Sequence, residues 1–542
     1  MFRADIQNVH LFRVIMLCFA LFPEAGCGSA DAGSCHEVKI AYMMRQIGPV
    51  QLVPERPGTG EPLRVCVHAG PSCCTSKMED SYMAAVRSEM QHKMRSYSFE
   101  LKYLIDGHGK AFQETFESLV SFTSNLTCSL FDSAYSALAS DCRLPVFQLF
   151  SDIRRHLSGD ANSSLNNAVR RFYNDLFPLV YRRLLNPGIG RPSATSHLSF
   201  LSNHDECLRM TQQDVSPFGP HPRLLVGSLS RALGPGRALS RLLRLAGEVV
   251  NSTEKLTLSR ECGRGLVKMQ YCSHCRGLTL LRPCTGLCHN VMKGCLVGVS
   301  ELGAPWGRLV VLLQRLAATL ATSSNHNSME LALLAVRNHV NDAILHAQLH
   351  GPRITATAIL YFSLKLQLGK RKDMKYFVLN FAFLRCRSFP LKGAKGDKSR
   401  SLKKLSREFE ISIQRYRWFL SELPEMLCES EMEVEQHTCW SGEDVVESYA
   451  GHVVGSTLKA QKENPETSIR HTDPALKEVK QRLARLTFVC CNGSQNGTEK
   501  YFYTLEGCFL REHVGLFLYF ALSFSCWMIQ TGIRKWISPI IA

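Results

Sequence analysis

Apolar residues recur at spacings of three and four through most of the chain, the period of an amphipathic helix. Met78, Tyr82, Ala85 and Val86 set one such face, and Met90 and Met94 continue it as core filling. Phe112, Phe116, Leu119 and Val120 repeat the pattern on what reads as the next helix. Phe172 to Leu185 is another, with Phe172, Leu176, Phe177, Leu179 and Val180 inward. Asn186-Pro187-Gly188 stops it, because proline removes a backbone donor and glycine accepts a left-handed cap. The same period runs through Leu224 to Val250, Val310 to Leu320, Met329 to Leu349, Leu402 to Leu423 and Leu476 to Leu486. Strand-like alternation is scarce, so the pattern predicts a mostly α fold.

With 542 residues, 45% of them hydrophobic, the chain can bury a large core, or about two to three domains by length. Its net charge of +17 is uneven: residues 365–407 hold 14 Lys or Arg against Asp373 and Asp397. This basic arm is expected to be an exposed loop joining core helices. If it binds anything, Lys370, Arg371, Lys372, Lys403 and Lys404 are its candidate contacts. Sulfated polysaccharide or an acidic membrane surface fits such a patch on a secreted chain better than nucleic acid does.

Both termini bear on compartment. Arg3 and Arg13 precede an apolar run from Val14 to Phe22, and small residues follow from Ala25 to Gly33. Residues 1–33 therefore read as a secretory signal, the run being too short to span a bilayer, which takes about 20 residues. Sequons at Asn125, Asn162, Asn251, Asn492 and Asn496 agree with secretion. Residues 487–542 form a tail with an apolar run from Val514 to Ile529. At about 1.5 Å per residue that run spans roughly 24 Å, short of a hydrocarbon core near 30 Å. It reads as a poor lipid-anchor signal, a marginal membrane helix or an alternative terminus.

Cysteine carries the densest chemistry. Of 22 in the chain, Cys272, Cys275, Cys284, Cys288 and Cys295 crowd into 24 residues. Short spacings suit either tetrahedral zinc or disulfides to distant partners, and the secretory start favours disulfides. His274 and His289, inside the cluster, read as exposed loop residues rather than ligands, so neither metal nor cofactor is expected. Adjacent Cys73 and Cys74 would make a strained bridge with each other and are expected to staple two separate partners. No catalytic motif stands. Gly393 to Ser399 lacks the phosphate-loop spacing, Ser300 lacks the nucleophile elbow, and no His-Glu-x-x-His occurs.

The stretch Cys272-x2-Cys275-x-Gly277-Leu278-x4-Pro283-Cys284-x2-Leu287-Cys288-x2-Val291-x2-Gly294-Cys295 resembles the signature of the glypicans. The single departure is Leu287, where that signature has an aromatic. Cys66 to Glu79, Leu176 to Tyr181, Asn186 to Gly188, Asp214 to Gly219, and Cys439-Trp440 with Gly442 to Asp444 resemble the same family. They lie nearest the branch holding glypicans three and five. The resemblance implies an all-α fold, an elongated helical ectodomain over residues 34–486, whose cysteine-rich N-terminal lobe uses 35–75 and 262–295. It also implies a cell-surface heparan sulfate proteoglycan core acting as co-receptor or regulator for Wnt, Hedgehog and FGF-class ligands and their receptors, held to the plasma membrane by a lipid anchor. The implied pairing is Cys35 with Cys73, Cys66 with Cys272, Cys74 with Cys275, Cys207 with Cys386, Cys262 with Cys295, Cys284 with Cys439, and Cys288 with Cys428.

Glypicans also carry a C-terminal run of Ser-Gly dipeptides where sugar chains start. Here only Ser158-Gly159 and Ser441-Gly442 occur, and Ser441, two residues from Cys439, reads as structural. A secreted or tethered ligand-binding core without heparan sulfate is therefore the alternative reading.

Overall fold

The structure, a computed structural model, describes residues 33–492 except 60–61, 189–197, 323–327, 369–400, 430–437 and 468–472. The leader, the tail from 493, Cys386, Asn496, Lys370, Arg371 and Lys372 lie outside the described residues.

A short α1 (His36–Met44) is followed by α2 (Ser76–Ala134), a single helix of 59 residues. At about 1.5 Å per residue α2 is roughly 88 Å long and gives the fold its elongated shape. The chain continues through α3 (Ala139–Leu157), α4 (Leu165–Val180), α5 (Leu198–Val215), α6 (His221–Glu254) and α7 (Arg260–Gln270). Then come α8 (Thr285–Cys295), α9 (Gly303–Ala321), α10 (Met329–Leu349) and α11 (Gly351–Leu368). The last helices are α12 (Leu402–Gln414), α13 (Phe419–Glu429) and α14 (Pro474–Asn492). One two-residue hairpin, β1 (Cys439–Trp440) with β2 (Val445–Val446), is the extended exception among the described residues.

α2 is the spine. Thr75 caps its start by accepting from the Met78 amide, and the helix packs in turn against α7, α6, α12, α10 and α3. Met78, Tyr82, Val86, Met90, Met94, Leu101, Phe112, Phe116 and Val120 all point into this stack and are buried. The two apolar patterns expected on separate helices thus belong to one. Gly107 and Gly109, between them, each cost helix propensity of about 1 kcal/mol, which burial along both halves outweighs.

Two further expectations change. The helix read from Leu402 to Leu423 is two, α12 and α13, parted at residues 415–418, where the Tyr416 carbonyl accepts from Trp306 Nε1 at 2.8 Å. The basic arm is also not a loop throughout. Lys365 lies in α11, while Lys403, Lys404 and Arg407 form the solvent face of α12, whose Leu402, Leu405, Phe409 and Ile413 are buried. Amphipathic period, rather than charge density, decides the structure there.

Gly107 is exposed, with nothing near the position a Cβ would take. Gly107→Ala is expected to raise stability by about 0.5–1 kcal/mol in urea unfolding with disulfides intact. A loss of stability would mean the helix is not continuous there.

Candidate functional site

Six bridges hold the lobe that gathers the start of the chain, the signature and the late helices. They are Cys35–Cys73, Cys66–Cys272, Cys74–Cys275, Cys262–Cys295, Cys284–Cys439 and Cys288–Cys428. Six of the seven implied pairs thus stand in the structure, and Cys73 and Cys74 do take separate partners. The partner implied for Cys207, Cys386, lies outside the described residues. Among the described residues no group of three or more His, Cys, Asp or Glu is arranged to hold a metal ion.

The signature's fixed residues have visible causes. Cys272–Arg276 is one tight 3-10 turn, closed by Gly277 at φ +81°, a left-handed conformation that glycine alone adopts freely. A side chain at Gly294 would collide with Thr467, so this turn of α8 is bare where the 464–467 loop lies against it. Beside Cys284–Cys439 the backbone pairs as well: the Trp440 amide donates to Arg282 O at 2.7 Å, and the Cys284 amide to Trp440 O at 2.9 Å. Trp440 is itself buried, with its indole N–H donated to Lys268 O. Leu287, the departure from the aromatic, is fully buried, and its methyls lie 3.6 and 3.7 Å from where a Cβ at Gly442 would stand.

Behind the bridges sits a buried aromatic group. Tyr82 and Tyr271 stack at 4.6 Å, Tyr42 meets Tyr82 edge-on, and the Arg45 guanidinium lies over Tyr271. Tyr271 donates to the Glu89 carboxylate, and burial, with Glu89, pushes its phenol upward, so it stays a neutral donor. His274 is packed among these rings and buried, not exposed in a loop as expected; burial, then Arg45, pushes it down to about 4. His289 is half-buried on α8 rather than in a loop. The tyrosine rings that bury His274 were not legible from the two cysteines flanking it.

Glu79 is the residue that sequence reasoning left without a role. Nearly fully buried, it accepts from the Arg64, Val65 and Cys66 amides, each at 2.8 Å, so one carboxylate holds the loop that delivers Cys66 to its bridge. Its placement one turn into a capped helix was the available signal.

The Ser-Gly sites and sequons fall as follows. The Ser441 hydroxyl donates to Asp444 O and lies 3.0 Å from the Asp444 amide, closing the turn between β1 and β2 with Gly442 at φ +98°. Arg276 bonds Asp444 at 2.6 Å across that turn. Ser158 caps the end of α3, its hydroxyl donating to Arg155 O at 2.9 Å. Asn162 is exposed in a turn, and Asn251 is half-buried in the last turn of α6. Asn125 is exposed in the interior of α2, and Thr127 of its sequon is buried. Asn492 ends α14.

Comparison with known proteins gives concordant results. A family model described as Glypican matches residues 16–492. Human glypican-5 is 34% identical over 470 residues, spanning 86% of this chain and 79% of its own length. Mouse glypican-5 is 35% identical over 487 residues, spanning 88% and 81%. The crystal structure of C-terminally truncated glypican-1 superposes with a TM-score of 0.64 at 24% identity, over 88% of this chain and 98% of its own; this likeness concerns the fold.

Removing the Glu79 carboxylate strands three amides. Glu79→Ala is expected to cost about 3 kcal/mol or more in urea unfolding. A loss under about 1 kcal/mol would mean that the 64–66 loop turns to water at little cost. For His274 the folded pKa, about 4, lies below the ordinary 6.5. The unfolded chain therefore binds the extra proton, and stability present above pH 6.5 falls as pH drops toward 4. His274→Gln should flatten the decline of melting temperature across that window; an unchanged slope would remove His274 as a cause.

Proposed function

This chain belongs to the glypican family, the core proteins of cell-surface heparan sulfate proteoglycans, and on that premise we propose that it acts as a co-receptor or regulator of growth-factor and morphogen signalling of the Wnt, Hedgehog and FGF class. The family's members are non-enzymatic. The observation that carries the reading is the bridged lobe itself: four of its six bridges join segments 140 to 206 residues apart, fixing a broad helical surface suited to docking macromolecules.

A second reading, a ligand-binding core without heparan sulfate, draws on a specific observation. Both Ser-Gly serines sit in ordered turns with their hydroxyls engaged. Asn125, Asn162, Asn251, Asn492 and Asn496 are the proposed N-glycan sites. Lys403 and Lys404, with Lys370, Arg371 and Lys372, are the proposed polyanion contacts; Lys404 shares its charge with Glu408 one turn on, at 3.8 Å.

The test is the full chain expressed in cells and compared before and after heparinase, N-glycanase and phosphatidylinositol-specific phospholipase. The proteoglycan reading expects a heparinase-sensitive smear, lost in the double variant Ser158→Ala, Ser441→Ala if those serines carry the chains, and release by the phospholipase. A sharp, heparinase-insensitive band favours the sugar-free core. Absence of any N-glycanase shift counts against secretion altogether. On immobilised heparin, neutralising the five basic residues should move elution to lower salt; an unchanged elution removes them as contacts.

A further inference from the structure

The turn between α3 and α4 carries a sequon, and the outer face of α4 that follows it borders a polar groove shared with α5. We propose that the N-glycan on Asn162 lies in this groove, its first sugars bound along α4. The inference rests on the N-glycan proposed at Asn162 and gives that glycan a binding site on the protein.

The anchor is held still. Asn162 is exposed, and its backbone amide donates to Asp160 Oδ1 at 3.0 Å. Arg237, reaching across from α6, donates to Asp160 O and to Ser163 Oγ, each at 2.9 Å. Ser164 then caps α4 by accepting from the Asn167 amide at 3.3 Å. A sugar on Asn162 therefore leaves from a turn fixed on both sides, immediately ahead of the helix.

α5 runs antiparallel beside α4: Arg182 pairs with Asp205 at 3.1 Å, and Arg209 with Asp175 at 3.0 Å. The groove between the two helices has a volume of about 580 Å³. On α4 it is lined by Asn167, Arg170 and Asn174, on successive turns that lead away from Asn162 over about 10 Å. On α5 it is lined, in the same direction, by Gln213, Met210 and Glu206. Asn167, where the groove opens, is five residues from Asn162, at most about 18 Å even along a straight chain. The core of an N-glycan, several pyranose rings long, covers that distance and runs on into the groove.

The lining selects a neutral sugar over a polyanion. Arg209 already shares its charge with Asp175 and, at 3.5 Å, with Glu206, while Arg171 pairs with Asp152 at 3.0 Å. An incoming sulfate would meet those carboxylates. Side-chain amides that both donate and accept, beside carboxylates that accept, suit the hydroxyls and acetamides of N-acetylglucosamine. Met210, 51% exposed, offers an adaptable apolar surface to the C–H face of a pyranose ring. Asn174 Oδ1 is buried without a hydrogen-bond partner. Turning that carboxamide into the groove lets it accept from an acetamide N–H, making a bond that is otherwise unmade. A glycan laid there braces α5 against α4.

The experiment uses the full chain secreted from mammalian cells. Site-resolved mass spectrometry follows glycan release by N-glycanase, on the native protein and after denaturation. Asn162 is expected to be occupied, with native release slower than release from the denatured chain. The double variant Arg170→Ala, Gln213→Ala changes two exposed positions and should keep the parent's circular dichroism. It should speed native release at Asn162 at least about fivefold, as the loss of one or two hydrogen bonds implies. Asn167→Ala, also exposed, carries the test if the double variant is not secreted. Melting temperatures close a cycle: the double variant should lower that of the parent and leave that of Asn162→Gln unchanged. A bare Asn162 overturns the inference together with the N-glycan proposed there. An occupied Asn162 whose release does not change in the variant, or an equal loss of melting temperature in both backgrounds, overturns the groove alone.

Discussion

The bridges from Cys66 to Cys272 and from Cys74 to Cys275 close loops of 206 and 201 residues around the first turn of α2. In the chain-entropy account a link of that span removes about 5 kcal/mol of freedom from the unfolded chain. More consequential is where the links fall. They fasten the entry of the spine helix to the signature turn, while Cys284–Cys439 and Cys288–Cys428 fasten the signature to the late helices. Every other contact in the lobe is made between segments already held in register.

Polar chemistry fills what the sulfurs leave undone. A loop delivering a cysteine to a buried bridge brings unsatisfied amides with it, and the Glu79 carboxylate takes three of them. Across the lobe, Asn290 does the same for the 449–467 segment. It donates to His452 O, accepts from the Val454 amide, and receives the Asn464 amide group on its own carbonyl. Both residues are buried. They satisfy backbone, which explains why a lobe so poor in regular pairing can be packed tightly.

Much of this was legible beforehand, and the exceptions have physical reasons. Period alone gave Met329 to Leu349 to the residue, because Ser328 caps it and nothing inside competes. It divided α2 because Gly107 and Gly109 are local breakers and the packing that overrides them comes from helices remote in sequence. The cluster at Cys272–Cys295 announced bridges, but spacing left their pairing open; the family resemblance, not geometry, supplied it. His274 was misplaced because its burial is made by Tyr82 and Tyr271, one of them nearly 200 positions away. Glu79 was visible as a letter but not as an acceptor, since its three donors belong to a loop without periodicity.

The same covalent geometry sets an order of events at the ribosome. Chains emerge at about 5–20 residues per second, so Cys66 and Cys74 wait roughly 10–40 seconds for partners some 200 residues behind them. During that wait Cys35, Cys66, Cys73 and Cys74 are close neighbours along the chain, and just one of their native bridges, Cys35–Cys73, lies among them, while Cys128, Cys142 and Cys207 emerge before the signature does. A premature link between Cys66 and Cys74 closes a loop of eight residues and must be undone by thiol exchange before the signature can dock. Maturation of this lobe is thus a problem of vectorial synthesis, in which the earliest thiols must be kept in exchange until the middle of the chain arrives.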